Sequence, residues 1–352
     1  MKLFTPFRAR DIELKNRIAV SPMCEYSAKD GHPQPWHMVH LGSRAVGGAG
    51  LVMTEASAVE ERGRISAQDA GIYDDAHIAS WRPVTEFVKS QGAVVGMQLA
   101  HAGRKASTAA PWTGGKPVSV ASGGWVPVAP SALPFDTGYN MPHSLEVGEI
   151  REVVAAFRKA AERTLAAGFE VIEIHAAHGY LIHEFLSPLC NTRTDEYGGT
   201  FENRIRLASE VAKAIREVWP ARSPLFCRVS ASDWVDGGWD LQQTIELSKR
   251  LKPLGVDLID TSSGGAVPYA KIPVGPGYQV AFAEAIRKEA GIATGAVGMI
   301  TDPAQADTIL ATGQADLVFL ARELLRDPYW PRRAAKALDV KISGPMQYGR
   351  AW

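Results

Sequence analysis

Eight short apolar segments recur along the chain, and each is followed by a stretch with helical periodicity. The segments are residues 17–21, 51–56, 94–100, 171–175, 225–230, 258–262, 294–298 and 317–321. Their hydrophobicity is continuous rather than alternating, which is typical of strands buried on both faces. Eight strand–helix units in one chain predict an α/β fold of the (β/α)8 TIM-barrel class, and a doubly wound open sheet is the alternative.

The stretches between these segments contain signals for helices and for long loops. Apolar residues at 150, 153, 154, 157, 161 and 165 lie on one face of a predicted helix. Asp302 followed by Pro303 is typical of a helix start, and Asp240 and Asp327 repeat that pattern. The connections 101–148 and 179–200 are long enough to be binding loops, so we expect them to cover the C-terminal face of a single barrel domain spanning 1–352.

Charge and cysteine content exclude several classes of protein. The 38 basic and 38 acidic side chains balance, which leaves no basic excess for nucleic acid or an acidic membrane surface. No run approaches the roughly 20 apolar residues of a membrane span. Three cysteines, Cys24, Cys190 and Cys227, cannot complete a set of internal disulfides or a four-thiolate cluster. A cytoplasmic protein with no membrane or nucleic-acid partner is the resulting prediction.

Polar residues stand at the C-terminal ends of the predicted strands, where barrels carry their active sites. Gly298 and Arg322 follow strands seven and eight, and such residues often bind a phosphate through backbone N–H groups and a guanidinium. A turn glycine and a surface arginine are the alternative. His175 and His178 are interpreted as hydrogen-bond donors to a substrate oxygen, as a structural pair or as metal ligands, and the residues alone leave all three open.

Three further side chains have both a chemical and a structural interpretation. Cys24 is either a nucleophile activated by a nearby base or a small apolar core group. Tyr26 and Tyr180 are either proton donors to a basic intermediate or amphipathic core residues. The C-terminal tail, 339–352, is aromatic around Arg350, and it is either a frayed terminus or a segment that docks on its own body or on a partner.

Six motifs together resemble the old yellow enzyme family of flavin-dependent ene reductases, in its bacterial branch of thermophilic-like and xenobiotic reductases. They are NRIAVSPMC at 16–24, QLAHAGRKA at 98–106, HAAHGY at 175–180, NxRxDEYGG at 191–199, RVSASD at 228–233 and RELLRDPYW at 322–330. The resemblance covers essentially the whole chain, and the order and spacing of the motifs make it specific.

The resemblance implies a non-covalent FMN at the barrel mouth. Its implied contacts with the isoalloxazine ring are Ser21, Pro22, Met23, Cys24, Ala56, Gln98 and Arg228, where Arg228 stabilises the reduced flavin. Gly298, Ala321 and Arg322 would hold the ribityl phosphate. Many relatives have glycine where this chain has Ala321, so its methyl group must point away from a bound phosphate.

The resemblance also implies a substrate and a mechanism. His175 and His178 would bind the carbonyl oxygen of an α,β-unsaturated carbonyl compound, Tyr180 would protonate its α-carbon, and Tyr26 would line the pocket. NADPH would reduce the flavin, and the enone would then bind in the same place, which predicts ping-pong kinetics. Nitro compounds and quinones are further expected substrates.

Arg350 matches an arginine that this branch inserts into a neighbouring active site, which predicts a homodimer or a dimer of dimers. The alternatives to the enzyme are a metal-dependent barrel hydrolase that uses His175 and His178, and a non-catalytic flavin-binding barrel.

Overall fold

Eight parallel strands form a closed barrel in the computed structural model, which describes residues 1–351. The strands are Ile18–Val20, Leu51–Ala58, Val94–Ala100, Val171–Ala176, Leu225–Ser230, Leu258–Ser262, Ala293–Ala296 and Leu317–Leu320. Each strand pairs with the next one along the chain, and the eighth pairs with the first. This topology confirms the predicted TIM barrel and excludes the open sheet.

Helices follow every barrel strand. They are Pro35–Val46, Ala76–Ser90, Val147–Ala166, Leu181–Leu186, Phe201–Arg204, Arg206–Val218, Leu241–Leu251, Val280–Ala290, Pro303–Ala311, Arg322–Arg326 and Trp330–Ala337. The apolar faces of the longer helices pack against the outward side chains of the strands in one extended core.

The predicted helix starts are right at two positions and wrong at a third. The side chains of Asp240 and Asp302 accept the backbone N–H groups of residues 243 and 305, as N-caps do. Asp327 is not an N-cap, because the last helix begins at Trp330 with Tyr329 before it. The Asp327 carboxylate instead accepts the N–H of Tyr329 in the preceding turn.

The inside of the barrel is apolar at its N-terminal end and polar above it. Inward side chains such as Leu51, Phe226 and Leu317 form a separate core with Leu14. Leu14 belongs to an antiparallel hairpin of strands Phe7–Ala9 and Ile12–Leu14 that packs against this end. The apolar plug leaves the C-terminal end of the barrel for polar groups.

The two long predicted connections have some structure of their own. The connection predicted at 101–148 ends at Glu146 rather than at residue 148. The helix that follows it begins at Val147, with a capping box between Glu146 and Glu149. It contains the 3-10 turns Gly103–Lys105, Pro111–Thr113 and Val120–Ser122 and the short paired strands Val128–Ala129 and His143–Ser144. Residues 179–200 contain the helix Leu181–Leu186.

Other 3-10 turns are Lys2–Phe4, Glu61–Gly63 and Lys252–Leu254, and a further one, Met346–Tyr348, lies in the C-terminal tail. Trp352, the last residue of the predicted tail, lies outside the described residues. Within residues 1–351, no helix combines the length and the apolar character needed to cross a membrane.

Candidate active site

Three aromatic side chains lie together at the C-terminal end of the fourth barrel strand. The ring of His175 is edge-on to those of His178 and Tyr180, at centroid distances of 5.1 and 5.0 Å. His175 is buried, whereas His178 and Tyr180 are half-buried at the mouth. The strand end therefore brings together all three residues that the sequence singled out here.

Each histidine uses one ring nitrogen inside the protein. Nδ1 of His175 accepts the backbone N–H of Ala177 at 3.2 Å, so its Nε2 carries the proton. Nε2 of His178 lies 2.7 Å from the Ser262 hydroxyl, and the backbone N–H of His178 donates to Ser230 Oγ at 2.9 Å. Nε2 of His175 and Nδ1 of His178 are therefore the ring nitrogens left for a ligand.

Both imidazoles are neutral at neutral pH. Burial lowers the pKa of His175 and of His178 well below its usual range, and the nearby Arg228 guanidinium lowers both further. Neutral rings with one N–H each are hydrogen-bond donors. In residues 1–351, no three His, Cys, Asp or Glu side chains are grouped as ligands of a metal ion.

A half-buried lysine, Lys105, fixes the loop that carries His178. Nζ of Lys105 donates to the carbonyl oxygens of His178 and Gly265, at 2.8 and 2.7 Å. A Cβ atom on Gly179 would lie 2.0 Å from that same Gly265 oxygen, so the two rim loops touch through their backbones. Burial lowers the pKa of Lys105 to about 8. His178 itself adopts a left-handed backbone conformation with φ of 61°, which this packing holds in place.

Cys24, Tyr26 and Tyr180 pack in one apolar cluster beside the histidines, around Ile65 and Ala102. Burial raises the pKa of Tyr180 well above its usual range, and it raises that of Tyr26 as well. Both phenols therefore keep their protons. Burial, with the Asp69 and Glu55 carboxylates, also raises the pKa of Cys24, so this side chain is a thiol and not the thiolate that a nucleophile requires.

The residues predicted to contact the isoalloxazine ring lie along the first, second, third and fifth strands. Ser21 Oγ accepts a 3.0 Å hydrogen bond from Nη1 of Arg228. Ala56 and Gln98 are register partners on the second and third strands. Pro22, Met23 and Cys24, which follow Ser21, are partly exposed at the mouth.

The predicted phosphate residues line one cavity of about 330 Å³ together with Arg228, Ser262 and Gln279. Gly298 has φ of 121°, and a Cβ atom there would lie 2.9 Å from the Gln279 amide nitrogen, so the backbone needs glycine. Ala321 has φ of −102°, so it lies outside the left-handed region that favours glycine. The Arg322 side chain is exposed and makes no hydrogen bond or ion pair with any other residue in 1–351, which leaves its guanidinium for an anion.

Arg350 does not reach this site within its own chain. Tail residues 342–347 line a groove of about 500 Å³ with Lys15 and Gly92, which precede the first and third strands on the N-terminal side of the barrel. Arg350 follows that segment and is exposed.

Sequence reasoning missed Lys105, Ser230 and Ser262, the three residues that fix His178. Lys105 lies inside the quoted QLAHAGRKA motif, and Ser262 ends the sixth predicted strand, so both positions carried a signal.

Comparison with known proteins identifies the family. Residues 2–341 match the model of the NADH:flavin oxidoreductase / NADH oxidase family. The chain belongs to this family. It is 55% identical to an NADPH dehydrogenase of Bacillus licheniformis over 353 aligned residues, which cover 100% of this chain and 99% of that protein.

Two solved structures show the same fold. The old yellow enzyme homologue from Zymomonas mobilis has a TM-score of 0.80 and 28% identity, and the match covers 99% of this chain and 96% of that one. A 2-naphthoyl-CoA reductase complex has a TM-score of 0.86 and 26% identity, but the chain spans about half (52%) of that protein's length. The resemblance to old yellow enzymes is thereby confirmed.

Membership in a flavin oxidoreductase family implies FMN, and the site fits it. One wall of the mouth is lined by Gly298, Arg322 and Arg228. A Cβ atom at Gly298 would be too close to its neighbours, the Arg322 guanidinium is left for an anion, and Arg228 is buried beside Ser21. These groups match a phosphate and a polar ring edge.

Proposed function

We propose that this protein is an FMN-dependent NAD(P)H oxidoreductase that reduces the activated C=C bond of α,β-unsaturated carbonyl compounds. The observation that carries the proposal is the convergence of two neutral imidazoles and one half-buried phenol beside a cavity suited to an anion. Nitro compounds and quinones, which also develop negative charge on oxygen, are further acceptors.

The residues that would hold FMN fall into two groups. Ser21, Pro22, Met23, Cys24, Ala56, Gln98 and Arg228 would contact the isoalloxazine ring, and Gly298, Ala321 and Arg322 would hold the phosphate. When bound, FMN takes a hydride from NADPH and gives a hydride to the β-carbon of the substrate.

The histidine pair would bind and polarise the substrate carbonyl. Nε2–H of His175 and Nδ1–H of His178 donate to the carbonyl oxygen and stabilise the charge that develops on it. The Ser262 hydroxyl then donates to Nε2 of His178, which keeps the proton on Nδ1. Because both rings are already neutral, neither has to lose a proton before it binds.

Tyr180 would supply the proton to the α-carbon. Its raised pKa keeps the hydroxyl protonated until a strongly basic carbon forms beside it. Tyr26, in the same apolar cluster, would also border the pocket, and its ring is edge-on to Trp112 at 5.8 Å. Cys24, a thiol, would contact the flavin without forming a covalent bond.

The remaining parts of the proposal concern partners. One mouth serves both NADPH and the enone, which predicts ping-pong kinetics. Arg350, which does not reach the site in its own chain, would enter the pocket of a second copy in a homodimer or a dimer of dimers. Three free cysteines fit a reducing, cytoplasmic compartment.

Anaerobic mixing tests the proposal. The purified protein should be yellow, NADPH should bleach its absorbance, and cyclohexenone should restore it in a second, separate step. A protein that carries FMN but is not bleached by NADPH would be a non-catalytic flavin barrel. A colourless protein with a stoichiometric metal would favour the hydrolase instead.

A further inference from the structure

A layer of buried polar side chains lies inside the barrel, below the proposed position of the flavin ring. Gln98 and Glu173 are register partners on the third and fourth strands, and Arg228 pairs with Asp260 on the fifth and sixth. All four side chains are at most 6% exposed. The layer therefore holds two carboxyl groups, one guanidinium and one amide, away from water.

The contacts in this layer divide it into two pairs. Nε2 of Gln98 donates to Oε1 of Glu173 at 2.8 Å. Nε of Arg228 lies 3.2 Å from Oδ2 of Asp260, as an ion pair that is not aligned as a hydrogen bond. Glu173 thus has the amide as its partner, whereas Asp260 has the cation.

Three carboxyl oxygens in the layer accept no hydrogen bond from residues 1–351. They are Oε2 of Glu173 and both oxygens of Asp260. Two buried carboxylates that share one cation cannot both remain ionised at low cost. Burial and the Asp260 charge raise the pKa of Glu173, and burial also raises the pKa of Asp260, which the Arg228 charge opposes.

The charged groups that face Glu173 support the same assignment. Asp260 repels its ionised form, and Arg228, which attracts it, is already paired. His175, two residues further along the strand, is neutral and offers no compensating charge. Because Oε1 of Glu173 accepts from Gln98, the proton of the neutral acid belongs on Oε2.

We propose that Glu173 is a positioning residue that fixes the Gln98 amide under the flavin, and that it does so as an uncharged carboxylic acid. With the amide nitrogen held by Glu173, the amide oxygen of Gln98 faces the ring edge of the flavin as an acceptor. The only charges in the layer are then the Arg228 cation and the Asp260 anion, which balance each other. This inference rests on the proposed function, because it requires FMN at this mouth.

Three variants test it, with two readouts that do not depend on turnover: the dissociation constant of FMN from the apoprotein and the two-electron reduction potential of the bound flavin. Glu173→Gln replaces a neutral acid by a neutral amide, so the ratio of affinities for reduced and oxidised FMN should change less than threefold, or about 15 mV. Asp260→Asn removes a charge beside Arg228, and that ratio should rise at least tenfold, or about 30 mV.

Glu173→Leu leaves the buried Nε2 of Gln98 without a partner, so FMN should bind about tenfold more weakly. A Glu173→Gln shift as large as that of Asp260→Asn would show that Glu173 is ionised and would overturn the proposal. Unchanged FMN affinity in a folded Glu173→Leu protein would overturn the positioning role. If Glu173→Leu does not fold, Glu173→Gln still decides. A wild-type protein that binds no FMN would instead refute the proposed function itself.

Discussion

The histidine pair gives the sharpest prediction of the proposed function. Each neutral N–H that meets an anionic oxygen contributes about 1.5–3 kcal/mol to binding, as hydrogen bonds to charged groups do. Two such donors, His175 and His178, together contribute about 3–6 kcal/mol, which is roughly a 10²- to 10⁴-fold effect on Kd. The double variant His175→Ala, His178→Ala should therefore bind p-nitrophenolate at least a hundredfold more weakly than the wild type.

Isothermal titration of the FMN-loaded protein measures this loss, and the flavin absorbance of the same sample measures the FMN retained. His143→Ala is a matched control, because His143 is exposed and pairs with Glu149 on the outside of the barrel, at 2.7 Å. The reasoning is refuted if the double variant keeps its phenolate affinity. It is equally refuted if the variant loses FMN, since the histidines would then serve the cofactor rather than the substrate.

Four other changes have defined outcomes. Tyr180→Phe should slow flavin reoxidation by cyclohexenone by about 10²- to 10⁴-fold, while stopped-flow reduction by NADPH stays near the wild-type rate; equal slowing of both steps would contradict the proton-donor role. Gly298→Val should weaken FMN binding in apoprotein titrations, because the added side chain enters the phosphate cavity. Truncation before Gln347 should change the oligomeric state in light scattering and the KM for the enone together, and an unchanged protein would mean that the tail is only a frayed end. Burial raises the pKa of Glu184 to about 8, so the folded state holds a proton that the unfolded state releases near pH 4.5. The free energy of unfolding therefore falls as pH rises between these values, by at most about 1.4 kcal/mol per pH unit. In urea unfolding at several pH values, Glu184→Gln should lack this contribution to the pH dependence.

The fold was predictable from the sequence because a strand buried on both faces is mostly apolar along its whole length. All eight predicted strands exist, and all of their ends lie within two residues of the predicted ones. The seventh strand differs most, since it runs over Ala293–Ala296 rather than 294–298. Val297 and Gly298 are apolar or small like strand residues, but they already form the turn that borders the phosphate cavity.

A site residue was predictable where its own side chain suggests a chemical role and where the sequence clearly places it at the end of a strand. His175, His178 and Tyr180 lie within one hexapeptide, so a single strand end brings them together. The partner of His178 was not predictable in this way, because Ser262 is 84 residues further along the chain. The alternation of side chains between the two faces of the sixth strand was a usable signal. Leu258, Asp260 and Ser262 share one face, and because Leu258 points into the barrel, Ser262 does so as well.

The buried layer was invisible for a related reason. An acid inside an apolar run, such as Glu173 between Ile172 and Ile174, has no partner in its own segment. Its counterpart Gln98 lies 75 residues away, and only the pairing of the third strand with the fourth brings the two residues side by side. The pairing of the fifth strand with the sixth places Asp260 next to Arg228 in the same way.

The contact of Gly179 with the Gly265 carbonyl, bridged by Lys105, has a consequence for engineering the substrate range. Two loops that share one ammonium and leave no space for a Cβ atom behave as one rigid piece. Substitutions of Lys105 or Gly179 are therefore expected to disturb both loops together. Diversity is better directed at the part of the mouth around Trp112, which is 67% exposed on a short turn and touches the pocket through Tyr26. The rim thus separates a rigid half for chemistry from an adaptable half for selectivity.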